Sequence, residues 1–230
     1  MAGLKKLPAD AQAKADRAEA VRQTVIKGTA GERRAVAIIA GGDVKGGLQL
    51  LTELASKAAS ANGAQWRRIG RITYAVDTAR ALAAYEKVAA LDRSNPWDAI
   101  YLGRLYERAG ALAKAKGTYE NALAGLAKSE IRNRSILLSA IADVAVAQGN
   151  LADALQNYQD VLAIAERLAK ADPTNASRQR DLSVSHNKVG DVQKAQGNLA
   201  GALQSYRAAR AIRQGRSQQC GLATGPLGVP

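Results

Sequence analysis

Between Gly149 and Pro173 the apolar residues Leu151, Ala154, Leu155, Tyr158, Val161, Leu162, Ala165 and Leu168 recur three or four positions apart. That spacing gathers side chains onto one stripe of an α-helix, with polar residues on the opposite face. Both ends of the helix are marked. Gly149 suits the left-handed conformation that closes a preceding helix. Asn150 stands where an N-cap is wanted, and Asp153 is placed to reach back toward the free amides of the first turn. "ADP" at Ala171–Pro173 stops the pattern, because the residue before a proline is driven out of helical geometry. The stretch predicts a turn between two helices and the whole of the second helix.

The phrase returns. "GNLADALQNY" begins at Gly149 and "GNLAGALQSY" at Gly197, 48 residues later, and the two differ only at Asp153/Gly201 and Asn157/Ser205. Gly110, Leu112, Ala115, Tyr119 and Ala122 repeat the same offsets, as do Gly197, Leu199, Ala202, Tyr206 and Ala209. Ala81, Tyr85 and Val88 fit a copy whose turn is one residue shorter and lacks the glycine. A degenerate copy runs through Gly42, Val44, Gly47, Leu51 and Leu54. A fixed period of this kind predicts stacked helix–turn–helix units. Composition agrees: the chain is 47% hydrophobic but 4% aromatic, without Phe. Ala and Leu, both strong helix formers, supply the apolar surface. No stretch alternates as a half-buried strand does, so the fold class is all-α.

Upstream of each turn, Leu102, Gly103 and Tyr106, then Val189 and Gly190, then Ile69 and Gly70 complete a first-helix pattern. With these residues in place the chain resembles the tetratricopeptide repeat (TPR) family, in its long-repeat, kinesin-light-chain-like variant found in bacterial multidomain proteins. One repeat departs, with Ala142 where the family has Gly and Ala145 where an aromatic is usual. The resemblance implies a right-handed α-solenoid over 34–213, in repeats of roughly 34–60, 64–95, 96–127, 131–171 and 178–213. Residues 1–33 read as a polar N-terminal helix or cap. Residues 214–230, rich in Gly and Pro without a period, read as a disordered tail after a last helix ending near Arg213. The array then closes without the polar capping helix that solenoids normally carry. Gly103 and Gly190 are expected where the first helix of a pair crosses closest to the second.

Charge changes the picture less than its size suggests. Lys and Arg exceed Asp and Glu by 13, with a pI near 10.1, but 1–63, 64–127 and 128–213 each carry +4. An even spread argues for a solvated surface rather than a basic arm. Cys220 is the only cysteine, so no internal disulfide is available and a reducing compartment follows. The N-terminus shows no apolar signal core. The longest hydrophobic run, "AVAIIA", has six residues, far below a membrane span. A cytoplasmic protein is expected, with no membrane partner.

Catalytic parts are scarce. His186 is the only histidine, which removes multi-histidine metal sites. Cys220 has no neighbour to depress its pKa. "AGGDVKGG" (Ala40–Gly47) lacks the Gly-Lys-Ser/Thr ending of a phosphate loop, and the sequons at Asn133 and Asn175 carry no meaning without a secretory signal. No enzyme, cofactor or metal is expected.

The resemblance places function in a concave groove lined by first helices. Its inward positions fall three before the glycine, one after it, and four or five after it. Arg67, Arg71, Arg104 and Arg108 occupy them in two adjacent repeats, then Ser139 and Asp143, then Asn187, Asp191 and Lys194. Guanidinium groups bind carboxylates bidentately, so the implied role is a non-catalytic scaffold gripping a protein or an acidic peptide. In the opposing reading these arginines merely pair with Asp and Glu of neighbouring helices. Trp66, Trp97 and Tyr74 lie on first helices and read as core, as do Tyr85, Tyr119, Tyr158 and Tyr206. Two other functions compete: a nucleic-acid-binding α-solenoid, suggested by the charge, and a scaffold fragment of a larger bacterial signalling or effector protein.

Overall fold

The structure, a computed structural model, describes residues 18–24, 27–57, 63–92 and 95–223. After a helical segment at 18–24 the chain forms five helix pairs: α1 (Ala30–Ala40) with α2 (Val44–Lys57), α3 (Gly63–Thr73) with α4 (Thr78–Leu91), α5 (Pro96–Arg108) with α6 (Leu112–Gly125), α7 (Ile131–Ala147) with α8 (Leu151–Ala171), and α9 (Ala176–Ala195) with α10 (Leu199–Ala223). No strand occurs among the described residues. The all-α class therefore stands. The chain divides into two compact units, Met1–Thr118 and Tyr119–Pro230, with the boundary inside α6.

Three of the turns between paired helices are built alike. Gly110, Gly149 and Gly197 take φ of 72°, 76° and 80°. At each, the next amide reaches back over the turn: Ala111 N–H donates to the Tyr106 carbonyl at 2.8 Å, Asn150 N–H to Ala145 at 2.9 Å, and Asn198 N–H to Gln193 at 2.9 Å. This is a Schellman closure, and the positive φ favours glycine. Asn150 then caps α8 as expected, its side chain accepting from the Asp153 amide at 3.3 Å. The expected return contact differs. The Asp153 carboxylate accepts from the Asn150 side-chain amide at 2.7 Å, because the Asn150 backbone N–H is already given to Ala145. The short turn before α4 works without glycine: Asp77 accepts from the Arg80 amide at 3.0 Å.

In the first unit the core gathers Trp66, Ile69, Ile72, Tyr74, Ala81, Ala84, Tyr85, Val88, Tyr101 and Leu105, with Ala20 of the leading helical segment. Ala81 and Ala84 are at most 1% exposed, and their short side chains let α4 lie close to its neighbours. Tyr85 stacks on Tyr101 at 5.4 Å, and Tyr74 meets Tyr101 edge-on at 4.9 Å. Each such pair adds about 1 kcal/mol beyond simple burial. In the second unit Ala142, Ala145, Ala154, Tyr158, Val189 and Val192 form the core between α7, α8 and α9, with Leu151, Leu155 and Leu162 packed on it. The Ala142 and Ala145 departures are both fully buried, where small side chains seat the longer α8.

One expectation fails. The last helix does not end near Arg213 with a disordered 214–230 beyond it; α10 continues to Ala223. "QGRSQQCGLA" contains no proline, and its Arg, Gln, Leu and Ala are adequate helix formers, so Gly215 and Gly221, at about 1 kcal/mol each, do not stop the helix. Residues 224–230 lie outside the described part, as do 1–17 of the expected N-terminal cap.

Candidate functional site

The glycines that open the first-helix pattern sit under the tyrosines of the second helix. A β-carbon on Gly70 would lie 2.7 Å from Tyr85 Cε2, and one on Gly190 2.8 Å from Tyr206 Cε1. This crossing fixes the register of the neighbouring position, one residue on, which differs between the two units.

In the first unit that position holds Arg71 on α3 and Arg104 on α5, both half-buried. Among the described residues Arg104 forms no ion pair or side-chain hydrogen bond. The other two expected arginines are committed elsewhere. Arg67 bridges two carboxylates, its Nε 2.7 Å from Asp98 Oδ2 and its terminal nitrogen 2.7 Å from Asp92 Oδ2. Asp98 is only 5% exposed and lies in the first turn of α5, where the helix dipole favours a carboxylate. Burial pushes the Asp98 carboxyl up; the hydrogen bond and charge of Arg67, and then the charge of Arg71, oppose that. Arg108 donates to the Tyr74 carbonyl at 2.9 Å and lies 4.5 Å above the Tyr74 ring, a cation–π contact. Arg67 thus fits the opposing reading, pairing with neighbouring acids, and Arg108 is anchored to backbone and ring. Arg71 and Arg104 make no ion pair or side-chain hydrogen bond among the described residues, although the charge of Arg71 acts on Glu19 and Asp98.

In the second unit the position holds Asp143 on α7 and Asp191 on α9, and each receives the hydroxyl of its pair's tyrosine. Tyr158 donates to Asp143, and Tyr206 donates to Asp191 at 2.8 Å. Lys188, from the following helix, closes the first of these with Nζ 2.7 Å from Asp143 Oδ1 and 5.4 Å above the Tyr158 ring. Burial first, then the bond to Asp143, pushes the Tyr158 hydroxyl well above its ordinary range. For Tyr206 the bond to Asp191 leads the rise. Asn187, half-buried, and Asp191 and Lys194, both exposed, follow at helical spacing along one side of α9.

Sequence reasoning missed Asp92 and Asp98 as the partners of Arg67, and the lock formed by Asp143, Tyr158 and Lys188. A signal for the latter existed: Asp143 and Asp191 stand 48 residues apart, as do Tyr158 and Tyr206. Trp66 and Tyr74 are core residues, 9% and 5% exposed, and Trp97 packs against the same cluster. His186 is half-buried, which pulls its pKa down, with Glu166 opposing. Cys220 has no described side chain. Among the described residues no group of three or more His, Cys, Asp or Glu is placed to hold a metal ion, and no helix is long and apolar enough to cross a membrane.

Taken together, the helix pairs, glycine-closed turns and Gly–Tyr crossings define a TPR-like helical-repeat fold. Solved structures of that type match the chain. A crystal structure of MamA aligns with a TM-score of 0.63 and 14% identity, over 93% of this chain and 100% of that one. The TPR-like repeats of a Podosopora anserina kinesin light chain align at 0.61 and 19%, over 93% and 100%. BtubC from P. vanneervenii aligns at 0.60 and 17%, over 96% and 92%. At these identities the likeness is one of fold. No family model matches the chain, and no curated relative matches it.

Proposed function

We propose that the chain is a non-catalytic scaffold that binds a partner protein through the first helices of its repeats, and that its first unit takes an acidic segment. The carrying observation is the pair Arg71 and Arg104. They occupy the same register on successive first helices, both half-buried, while Arg67 and Arg108 are committed to other contacts. The Nε of Arg71 is buried without a hydrogen-bond partner among the described residues, and its charge helps hold the carboxyl of Glu19 at about 2, behind the hydrogen bonds of Arg22 and Gln23. A guanidinium so placed is set to receive a carboxylate. In the second unit, Asn187, Asp191 and Lys194 of α9 offer a mixed polar side instead. A reducing, cytoplasmic setting suits this role.

The test is fluorescence anisotropy with a labelled peptide of alternating Glu and Leu, with a single-stranded RNA of equal length in parallel. The reading expects peptide binding that weakens at least about tenfold in Arg71→Ala/Arg104→Ala, since two charge-assisted contacts are lost. Equal affinity for parent and variant would overturn it. RNA binding that is tighter and survives physiological salt, against the steep salt dependence of phosphate contacts, would instead establish the nucleic-acid reading.

A further inference from the structure

The outer face of α10 repeats a face of α8 that is covered. On α8, Leu151 and Leu155 pack against the cluster holding Val189 and Val192 of α9. The two helices run antiparallel, as two bonds show: Gln196 Nε2 donates to the Leu151 carbonyl at 3.1 Å, and Arg178 donates to the Leu168 carbonyl at 3.3 Å. The same sequence phrase puts Leu199 and Leu203 at the matching positions of α10, and there they are 67% and 49% exposed. The polar half of the pattern is incomplete as well. Asp143 takes both the Tyr158 hydroxyl and the Lys188 ammonium. Asp191, its counterpart, takes only the Tyr206 hydroxyl among the described residues.

Further along, the two faces diverge in charge. Arg210 stands on α10 where Leu162 stands on α8, and from Leu199 to Gly215 α10 carries Arg207, Arg210 and Arg213 with no acidic residue. A second α10, antiparallel or parallel, would bring an all-basic helix onto another.

We propose that this face docks a partner protein's amphipathic helix that lies antiparallel to α10 and imitates α9 with one change of charge. Its C-terminal half carries a basic residue for Asp191 and small aliphatic residues for Leu199 and Leu203, and its N-terminal half carries an acidic residue for Arg210. The register that sets Gln196 against Leu151 and Arg178 against Leu168 puts Ser185 of α9 opposite Leu162, so the acidic residue belongs at the Ser185 position. The proposal stands apart from the groove reading except at Asp191, which both use.

The probe is a labelled peptide with the sequence of residues 176–195 carrying Ser185→Glu, stapled through positions 180 and 184, both exposed on α9. The expected result is micromolar binding to the full chain. It should weaken at least about tenfold in Leu199→Glu/Leu203→Glu and by a smaller factor in Asp191→Asn, and fade as salt screens the Arg210 contact. The leucine variant alters exposed positions, so its melting curve should overlay that of the parent, and its affinity for the Glu/Leu peptide should be unchanged, which separates this face from the groove. Failure to bind, or equal binding by parent and leucine variant, overturns the proposal. So does a parent chain that sediments as a dimer and becomes monomeric in the leucine variant, since a second copy would then own the face.

Discussion

The two units treat one register position in opposite ways. One residue beyond the crossing, the first unit has Arg71 and Arg104 and the second has Asp143 and Asp191. In the second unit the tyrosine hydroxyls reach the aspartates, so the position is tied into the repeat. In the first, Tyr85 is fully buried and stacked on Tyr101, the two arginines are half-buried, and the frame is held by a different ion pair, Arg67 with Asp92 and Asp98. A repeat frame thus fixes where a side chain stands, while the chemistry of its neighbour decides whether it is tied into the repeat.

The contrast breaks most sharply at Arg67. Its side chain is 16% exposed and that of Asp98 7%, so removing the guanidinium strands a buried carboxylate. Arg67→Ala should cost about 3 kcal/mol, the scale for breaking a buried pair from one side, read as a fall in the chemical-denaturation midpoint. Asp98→Asn added to Arg67→Ala should recover part of the loss; no recovery would show that packing, not charge, held the site.

Next come the crossings. Leucine at Gly70 must displace the ring of Tyr85, which is 0% exposed, whereas leucine at Gly190 meets Tyr206, which is half-buried and has room to swing outward. Overpacking costs typically 1–3 kcal/mol. Gly70→Leu should therefore fall near about 3 kcal/mol and Gly190→Leu near about 1 kcal/mol on that scale. Thermal melts in which both equal the parent would undo the assigned crossing.

Much of this was legible because it is local. The left-handed glycines, the asparagine cap and the "ADP" stop each depend on a few adjacent residues, and a 48-residue echo identified them. The committed arginines were not legible, since Arg67 finds Asp92 and Asp98 only once α3, α4 and α5 are packed, 25 and 31 residues away. The family resemblance assigns four arginines to inward positions; it has no means of showing which ones the fold engages. The end of α10 is hidden for a related reason: the missing apolar period beyond Arg213 predicts no helix, yet propensity without proline carries α10 to Ala223.

Raised tyrosine hydroxyls make both units sensitive to alkaline pH. Tyr106 bonds Glu86 at 2.9 Å, and burial followed by that bond raises its hydroxyl from 10.0 to about 12; Tyr158 is raised further in the same direction. A group raised above its unfolded value contributes stability that is whole below the unfolded pKa and is lost as pH climbs through the folded one. Stability should hold up to about pH 10 and then fall, with tyrosinate absorbance appearing together with unfolding. Tyr158→Phe should cost about 1.5 kcal/mol at neutral pH, the low end for one hydrogen bond to a charged group, and should flatten the alkaline slope. An unchanged slope would mean that the bond to Asp143 contributes nothing.

The smallest effect belongs to Lys188. Its contact with Asp143 is as short as those of Arg67, 2.7 Å, yet the two side chains are 44% and 45% exposed. Water and salt screen such a pair, and holding a lysine in one rotamer offsets part of the attraction, so exposed pairs contribute about 0–1 kcal/mol. Lys188→Ala should lower stability by less than about 1 kcal/mol, and the loss should shrink as salt is raised. A cycle with Asp143→Asn separates the pair from the rest of the lysine, because the ammonium also lies over the Tyr158 ring and its stem covers apolar surface. Coupling near that of Arg67 and Asp98 would mean that exposure does not set the strength of these bridges. The contrast between the units would then rest on geometry alone.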